Sequence, residues 1–205
     1  MIGIEELIQI PVHNERTDPR SGAVMTNSMD ESEKLWFLER FPGLSQEEIA
    51  ELQQEYLGKM PKEYLDFLRI TNGLNVMGRV LKIAGKGCDP ARFAGSRIPD
   101  PIRFVDGHRT RLTPRGWLFF ATYTQWEDIG MAHVCLDTTA EGERCPVYCL
   151  PYNGNEVLKR WASFEDWLQE EFERLHTAYR EEKYRLVDVV PGVVQMVELN
   201  NCVLK

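Results

Sequence analysis

Apolar residues recur at helical spacing in three stretches, and they alternate with polar ones through the middle of the chain. The first stretch opens on Ser45-Gln46-Glu47-Glu48, a capping box with Ser at the N-cap and Glu three residues on. Ile49, Leu52, Tyr56 and Leu57 follow at amphipathic spacing, Glu47, Glu48, Glu51 and Glu55 take the other faces, and Gly58 ends the helix. The second is Met60 to Gly73. Pro61 suits a first helical turn, where its missing N–H is not needed, and Tyr64, Leu65, Phe67 and Leu68 form the apolar face. Asn72-Gly73 is read as the left-handed C-cap. The third opens at Ser163, with Asp166 placed to reciprocate the cap. Phe164, Trp167, Leu168, Phe172, Leu175 and Tyr179 make its stripe, and Glu165, Glu170, Glu171, Glu173 and Arg174 are expected on its exposed side.

Between the second and third helices the period shifts to two. Strands are expected at Arg79–Ala84, Gly116–Tyr123, Ile129–Asp137, Pro146–Tyr152 and Val157–Trp161, with turns at Thr124–Asp128, Thr138–Arg144 and Asn153–Asn155. Short polar turns between consecutive strands imply an antiparallel meander. Gly85 to Arg115 reads as a long irregular insertion with one short strand near Ile102–Val105. Before the first helix, Ile2 to Ile8 suggests a short helix and Val12 to Asp30 an extended arm. Asp30 or Ser32 then caps a short helix holding Leu35, Trp36, Phe37, Leu38 and Phe41, which Pro42-Gly43 stops. After the last helix, Leu186–Val190 and Val193–Leu199 are β-branched and split by Pro191-Gly192, as a hairpin or an added edge would be. The expected division is 1–44 as arm and short helices, 45–183 as the main domain with its insertion at 85–115, and 184–205 as a β-rich extension of the same unit.

Composition narrows the class. The 205 residues are 43% hydrophobic, enough for one core. No run approaches a membrane helix, and Met1 to Glu6 lacks a basic region followed by an apolar run. A cytoplasmic location without membrane attachment is the default. The formal net charge is −8, so the cationic footprint of a nucleic-acid binder is missing; such a charge favours capture of a basic partner or simply maintains solubility. Five cysteines at scattered spacing, with no C-x-x-C, suggest buried thiols and neither a disulfide framework nor a zinc site.

Candidate chemistry is sparse. His133 and Cys135, two apart on a strand, share a face and could form a Cys–His pair; alternating neighbours more often both enter a core. His108 lies with Arg109, Arg111 and Arg115 in the insertion, while His13 and His176 have no sequence partners. Gly85-Lys86-Gly87 is too short for a phosphate loop. Glu127-Asp128 could serve as acid and base, yet adjacent acids on a turn are usually solvated. Trp126, flanked by these two acids, has the make-up of an interface anchor with an acidic rim. It could instead fold back over the sheet edge. Glu165, Glu170 and Glu173 offer a second acidic face. No catalytic residue, metal or cofactor is expected.

The order of these pieces resembles the SUKH superfamily, which includes a yeast regulator of cell-wall assembly and many bacterial immunity proteins. The residues that carry the resemblance are Leu57 with Met60-Pro61-x-x-Tyr64-x-x-Phe67-Leu68, then Asn72-Gly73, Phe119-Phe120-Ala121, Trp126-x-x-Ile129-Gly130, Leu136-Asp137, Pro146-Val147-Tyr148 and Ala162-Ser163-Phe164-x-x-Trp167-Leu168. They span about Ser45 to Leu175. The resemblance implies an α+β fold, a curved antiparallel sheet with helices packed around it. It also implies a scaffold that binds proteins without a shared catalytic centre, and it favours packing for Trp126. Many bacterial members bind and neutralise a toxin, often a nuclease, which would be basic; the regulator branch binds other proteins. Oligomeric state is left open.

Overall fold

The structure, a computed structural model, describes residues 14–29, 35–56, 60–76, 80–87, 99, 101–104, 116–127, 129–140, 144–154, 156–180, 184–190 and 193–198. Three helices are described: α1 (Gln46–Glu55), α2 (Lys62–Ile70) and α3 (Phe164–Arg180). The strands are β1 (Asn14–Thr17), β2 (Val24–Met29), β3 (Leu35–Pro42), β4 (Thr71–Val76), β5 (Leu81–Ile83), β6 (Arg103–Phe104), β7 (Trp117–Trp126), β8 (Gly130–Asp137), β9 (Val147–Pro151), β10 (Lys159–Trp161), β11 (Tyr184–Val190) and β12 (Val193–Glu198). The main sheet runs β1-β2-β3-β4-β5-β7-β8-β9-β10, with β6 paired to β7; β11 and β12 form a separate two-stranded sheet. Every strand pair is antiparallel. The fold is α+β.

The capping box forms as read: Ser45 Oγ accepts from Glu48 N at 3.2 Å, and Glu48 Oε2 accepts from Ser45 N at 2.9 Å. At α3, Asp166 N donates to Ser163 Oγ at 3.1 Å. Pro61 stands at the N-cap of α2. The helices bury their stripes on one sheet face. Tyr64, Phe67 and Leu68 of α2 meet Phe164, Trp167 and Leu168 of α3 over Leu118, Phe120, Val134 and Leu136 of the strands. The Phe164 ring lies 5.2 Å from Tyr64, 5.4 Å from Phe67 and 5.4 Å from Phe120. Tyr64 reaches across to donate to Ala84 O at 2.7 Å, so an aromatic core residue also fixes the β5 end.

Three expectations change. Leu35 to Phe41 is the strand β3, not a helix. A dense apolar run does not reveal its period, and β3 is held between β2 and β4, where aromatic and branched residues suit a strand. The preceding arm is the β1–β2 hairpin; the proposed Ile2–Ile8 helix and the caps at Asp30 and Ser32 lie outside the described residues, as do residues 88–98 and 105–115 of the insertion. Asn72-Gly73 is not the C-cap of α2. Thr71 takes that place in an extended conformation, and both residues belong to β4. Asn72 instead mimics a strand: its Oδ1 accepts from Lys86 N at 2.5 Å and its Nδ2 donates to Lys86 O at 3.3 Å. Gly73 is required for a different reason. Its φ is +90°, and a Cβ would fall 2.9 Å from Ile83 O.

Gly43 illustrates how closely β3 passes α2. A Cβ there would stand 2.0 Å from Arg69 O, in the last helical turn. Gly43→Ala is expected to lower folding stability by about 1–3 kcal/mol, because backbone must move to admit it. A urea midpoint unchanged from wild type would contradict this close approach.

Candidate functional site

The step from β7 to β8 is read from sequence as the turn Thr124–Asp128, with Trp126 either an interface anchor or packed over the sheet edge. In the structure β7 continues through Trp126, which pairs with Gly130. Ile129 N donates to Trp126 O at 3.0 Å. The sharp reversal puts Glu127 at φ +47° and Gly130 at φ +88°, left-handed values that suit glycine and strain other residues. Trp126 is only 2% exposed, so it is not available as an interface anchor. Its ring lies 4.5 Å from Tyr123 and meets Trp161 edge-on at 6.2 Å. The Arg174 guanidinium sits 4.9 Å from its centroid. The packing alternative for Trp126 is the one the structure adopts.

That arginine, its side chain 24% exposed, pairs with a buried acid. Glu171, expected on the solvent side of α3, is 0% exposed. Arg174 Nε donates to Glu171 Oε2 at 3.0 Å, and Nη2 stands 2.9 Å from the same oxygen. Position 171 follows Trp167 by four and precedes Leu175 by four, so it falls on the apolar stripe; the neighbouring run of acids obscured this. Burial pushes the Glu171 carboxyl above its ordinary value, while Arg174 pulls it back. Beside it, burial raises the Tyr123 phenol well above its usual range. The Cys149 thiol is pushed up to about 12, chiefly by burial and then by the Glu171 charge.

The sign of the linkage follows from this direction. Between the ordinary and the raised value, the folded chain holds a proton on Glu171 that the unfolded chain has released. The carboxyl therefore contributes most to stability in acid, and that contribution falls as pH rises through the window. Glu171→Gln removes the step. The stability difference between Glu171→Gln and wild type should shift toward the variant from about pH 4 upward and then level off. Urea titrations at successive pH values measure it; a difference constant with pH would refute the burial argument.

The remaining acidic candidates do not converge. Glu127 is exposed on the turn, and Asp128 lies outside the described residues. Glu170 is committed to β10: it accepts from Lys159 and, at 2.8 Å, from Trp161 Nε1. Glu173 is exposed and accepts from Gln169 Nε2 at 3.1 Å. Glu165 is half-buried, and its backbone N–H donates to Glu63 Oε2 at 3.4 Å. At about 100° per residue, Glu165 points roughly 140° away from Glu170 around the helix.

A profile of the SMI1 / KNR4 family (SUKH-1) matches residues 43–170. The chain belongs to this family. No curated protein and no solved structure matches it. The SUKH-1 match begins after β3 and ends within α3, so the β1–β3 strands and the β11–β12 hairpin lie outside it.

On the SUKH-1 sheet, Ala132, Val134 and Leu136 face the helices, and His133 and Cys135 face the other way. The His133 ring is 5.0 Å from Phe119 and 4.9 Å from Tyr152. Cys135 is 0% exposed and packs with Trp117 and Leu150. Burial pushes its thiol well up, with Cys149 adding to the effect, so at neutral pH it is protonated. A thiolate nucleophile needs the opposite environment. His108, His13 and the side chain of His176 lie outside the described residues. Among the described residues, no group of three or more His, Cys, Asp or Glu is placed to hold a metal, and no helix is long and apolar enough to cross a membrane. Sequence reasoning missed the large apolar side chains that are exposed among the described residues: Ile129, Met131, Tyr152 and Val157. Their signal was available, since each stands within two residues of a predicted strand end.

Proposed function

We propose that this chain is a non-catalytic immunity protein that acts in the cytoplasm by binding a cognate bacterial toxin domain and blocking its active site or its substrate path. The observation that carries this reading is membership of SUKH-1 over residues 43–170, a family whose fold serves as a scaffold for binding proteins. The net charge of −8 supports a basic partner. A nuclease toxin must approach phosphates and carries the opposite charge, so attraction would speed its capture. The protonated Cys135 thiol supports the non-catalytic part of the reading, because it removes the best nucleophile in the sequence.

Membership of SUKH-1 is equally compatible with a second reading: an interaction module with a regulatory partner that is neither toxic nor basic, as in the cell-wall regulator that the superfamily includes. Co-expression with the product of the adjacent reading frame separates the two. Under the immunity reading, that product alone stops growth, and this chain restores growth and co-purifies with it. A harmless neighbour that does not co-purify rules out that pairing and leaves the regulatory reading.

A further inference from the structure

Four large apolar side chains are exposed among the described residues: Ile129 (47%), Met131 (44%), Tyr152 (44%) and Val157 (47%). Single exposed apolar residues are ordinary and need no explanation. These four are not scattered. Ile129 and Met131 flank the start of β8, while Tyr152 and Val157 bracket the turn between β9 and β10. Because β8 leaves this end of the sheet and β9 returns to it, the β7–β8 and β9–β10 turns lie side by side. Tyr152 N donates to Met131 O at 2.9 Å, which makes the two residues cross-strand neighbours.

The two turns themselves carry only acidic charge; the basic residues that follow the second are Lys159, which pairs with Glu170, and Arg160, which lies over the Tyr148 ring. Segments 124–132 and 150–158 contain Glu127, Asp128 and Glu156 and no Lys or Arg; Glu127 and Glu156 are both exposed. An apolar centre that includes Tyr and Met, inside a polar rim, is the ordinary anatomy of a protein interface. The platform is also held in place before any partner arrives. Trp126 is packed beneath the first turn against Tyr123, Trp161 and Arg174, and Gly154 N bonds to Pro151 O at 3.2 Å across the second. Pre-organisation of this kind reduces the ordering that binding must impose.

We infer that the adjacent β7–β8 and β9–β10 turns form the docking surface, and that its occupant is a cationic protein domain presenting apolar side chains within a ring of Lys and Arg. Ile129, Met131, Tyr152 and Val157 supply the apolar contact, and Glu127 and Glu156 supply the charged rim. The inference rests on the protein-binding reading above and adds the surface and the partner's chemistry.

The test compares two variants by calorimetry against the purified product of the adjacent reading frame. One is Ile129→Ser/Met131→Ser/Tyr152→Ser; the other is Glu165→Lys/Glu173→Lys on the competing acidic helix face. Circular dichroism and thermal melting first establish that both fold. The expected result is a loss of affinity of about 100-fold for the first and a much smaller change for the second. Wild-type affinity in the first variant overturns the surface while leaving the protein-binding reading intact. If the wild type itself does not bind this product, the pairing fails and the surface is judged separately, by photo-crosslinking from positions 129 and 173 in host cells. A basic protein crosslinked at 129, and lost on Glu127→Lys/Glu156→Lys, supports the surface. Crosslinking only from 173, or from neither position, overturns it.

Discussion

Trp167→Ala should lower folding stability by about 3–5 kcal/mol, a large part of what a domain of this size possesses. The indole is fully buried. It stands 4.8 Å from Phe120 in an edge-on contact and 5.5 Å from Phe164, and its Nε1 donates to Tyr123 Oη at 2.9 Å. Truncation leaves a void at the meeting point of α3 and β7 and removes the indole donor from the buried Tyr123 hydroxyl. Trp167→Phe retains most of the ring contact and loses the hydrogen bond, so its expected loss is smaller, about 1–2 kcal/mol. Urea unfolding of both variants tests the ranking. If the Ala variant lay within about 1 kcal/mol of wild type, Trp167 would not be central to the core.

Arg174→Met should be nearly as damaging, at about 3 kcal/mol, because it leaves the Glu171 carboxylate buried without its partner. The diagnostic measurement is the double replacement. Glu171→Leu/Arg174→Met removes both charges from the same site and should recover most of the loss, since a buried ion pair and an apolar pair of similar volume are close in stability. About 1 kcal/mol should remain missing, because the guanidinium over Trp126 is gone as well. Strict additivity of the two single losses would mean that the residues act independently, contrary to their 2.9 Å contact.

Much of this molecule was legible because its local signals agree with its packing. Ser45 and Ser163 cap the helices they were expected to cap, and the alternation from Trp117 to Pro151 gave β7, β8 and β9 in order. The family motifs fall on core residues, among them Tyr64, Phe67, Phe164 and Trp167. What failed was decided by tertiary context. Leu35 to Phe41 is apolar enough for either period, and its neighbours in the sheet chose the strand. The residue pattern leaves Trp126 between an anchor and a packed residue, with the resemblance favouring packing, whereas it places Glu171 on the wrong side of its helix. The first is an aromatic among acids that lies buried, and the second an acid among acids that lies buried with it. Sequence gives the character of each side chain, whereas Arg174 linking both was visible only in space. The exposed apolar turn residues escaped notice because strand patterning treats every apolar position as a candidate for the core.

The sequential order of the sheet has a consequence for synthesis. From β1 to β5, and again from β7 to β10, each strand pairs with the one made just before it. A nascent chain can therefore add hairpins one at a time as it leaves the ribosome. The helix that completes their cover, α3, follows only after β10. At roughly 5–20 residues per second, the part of the apolar face that α3 covers waits for it during elongation, and Phe120, which meets Tyr64 of the earlier α2 but also Phe164 and Trp167 of α3, stays half-covered and open to chaperones or to other nascent chains. A pause in translation just ahead of Phe164 would prolong that exposure, so the yield of soluble protein should depend on how quickly the codons of this one helix are read.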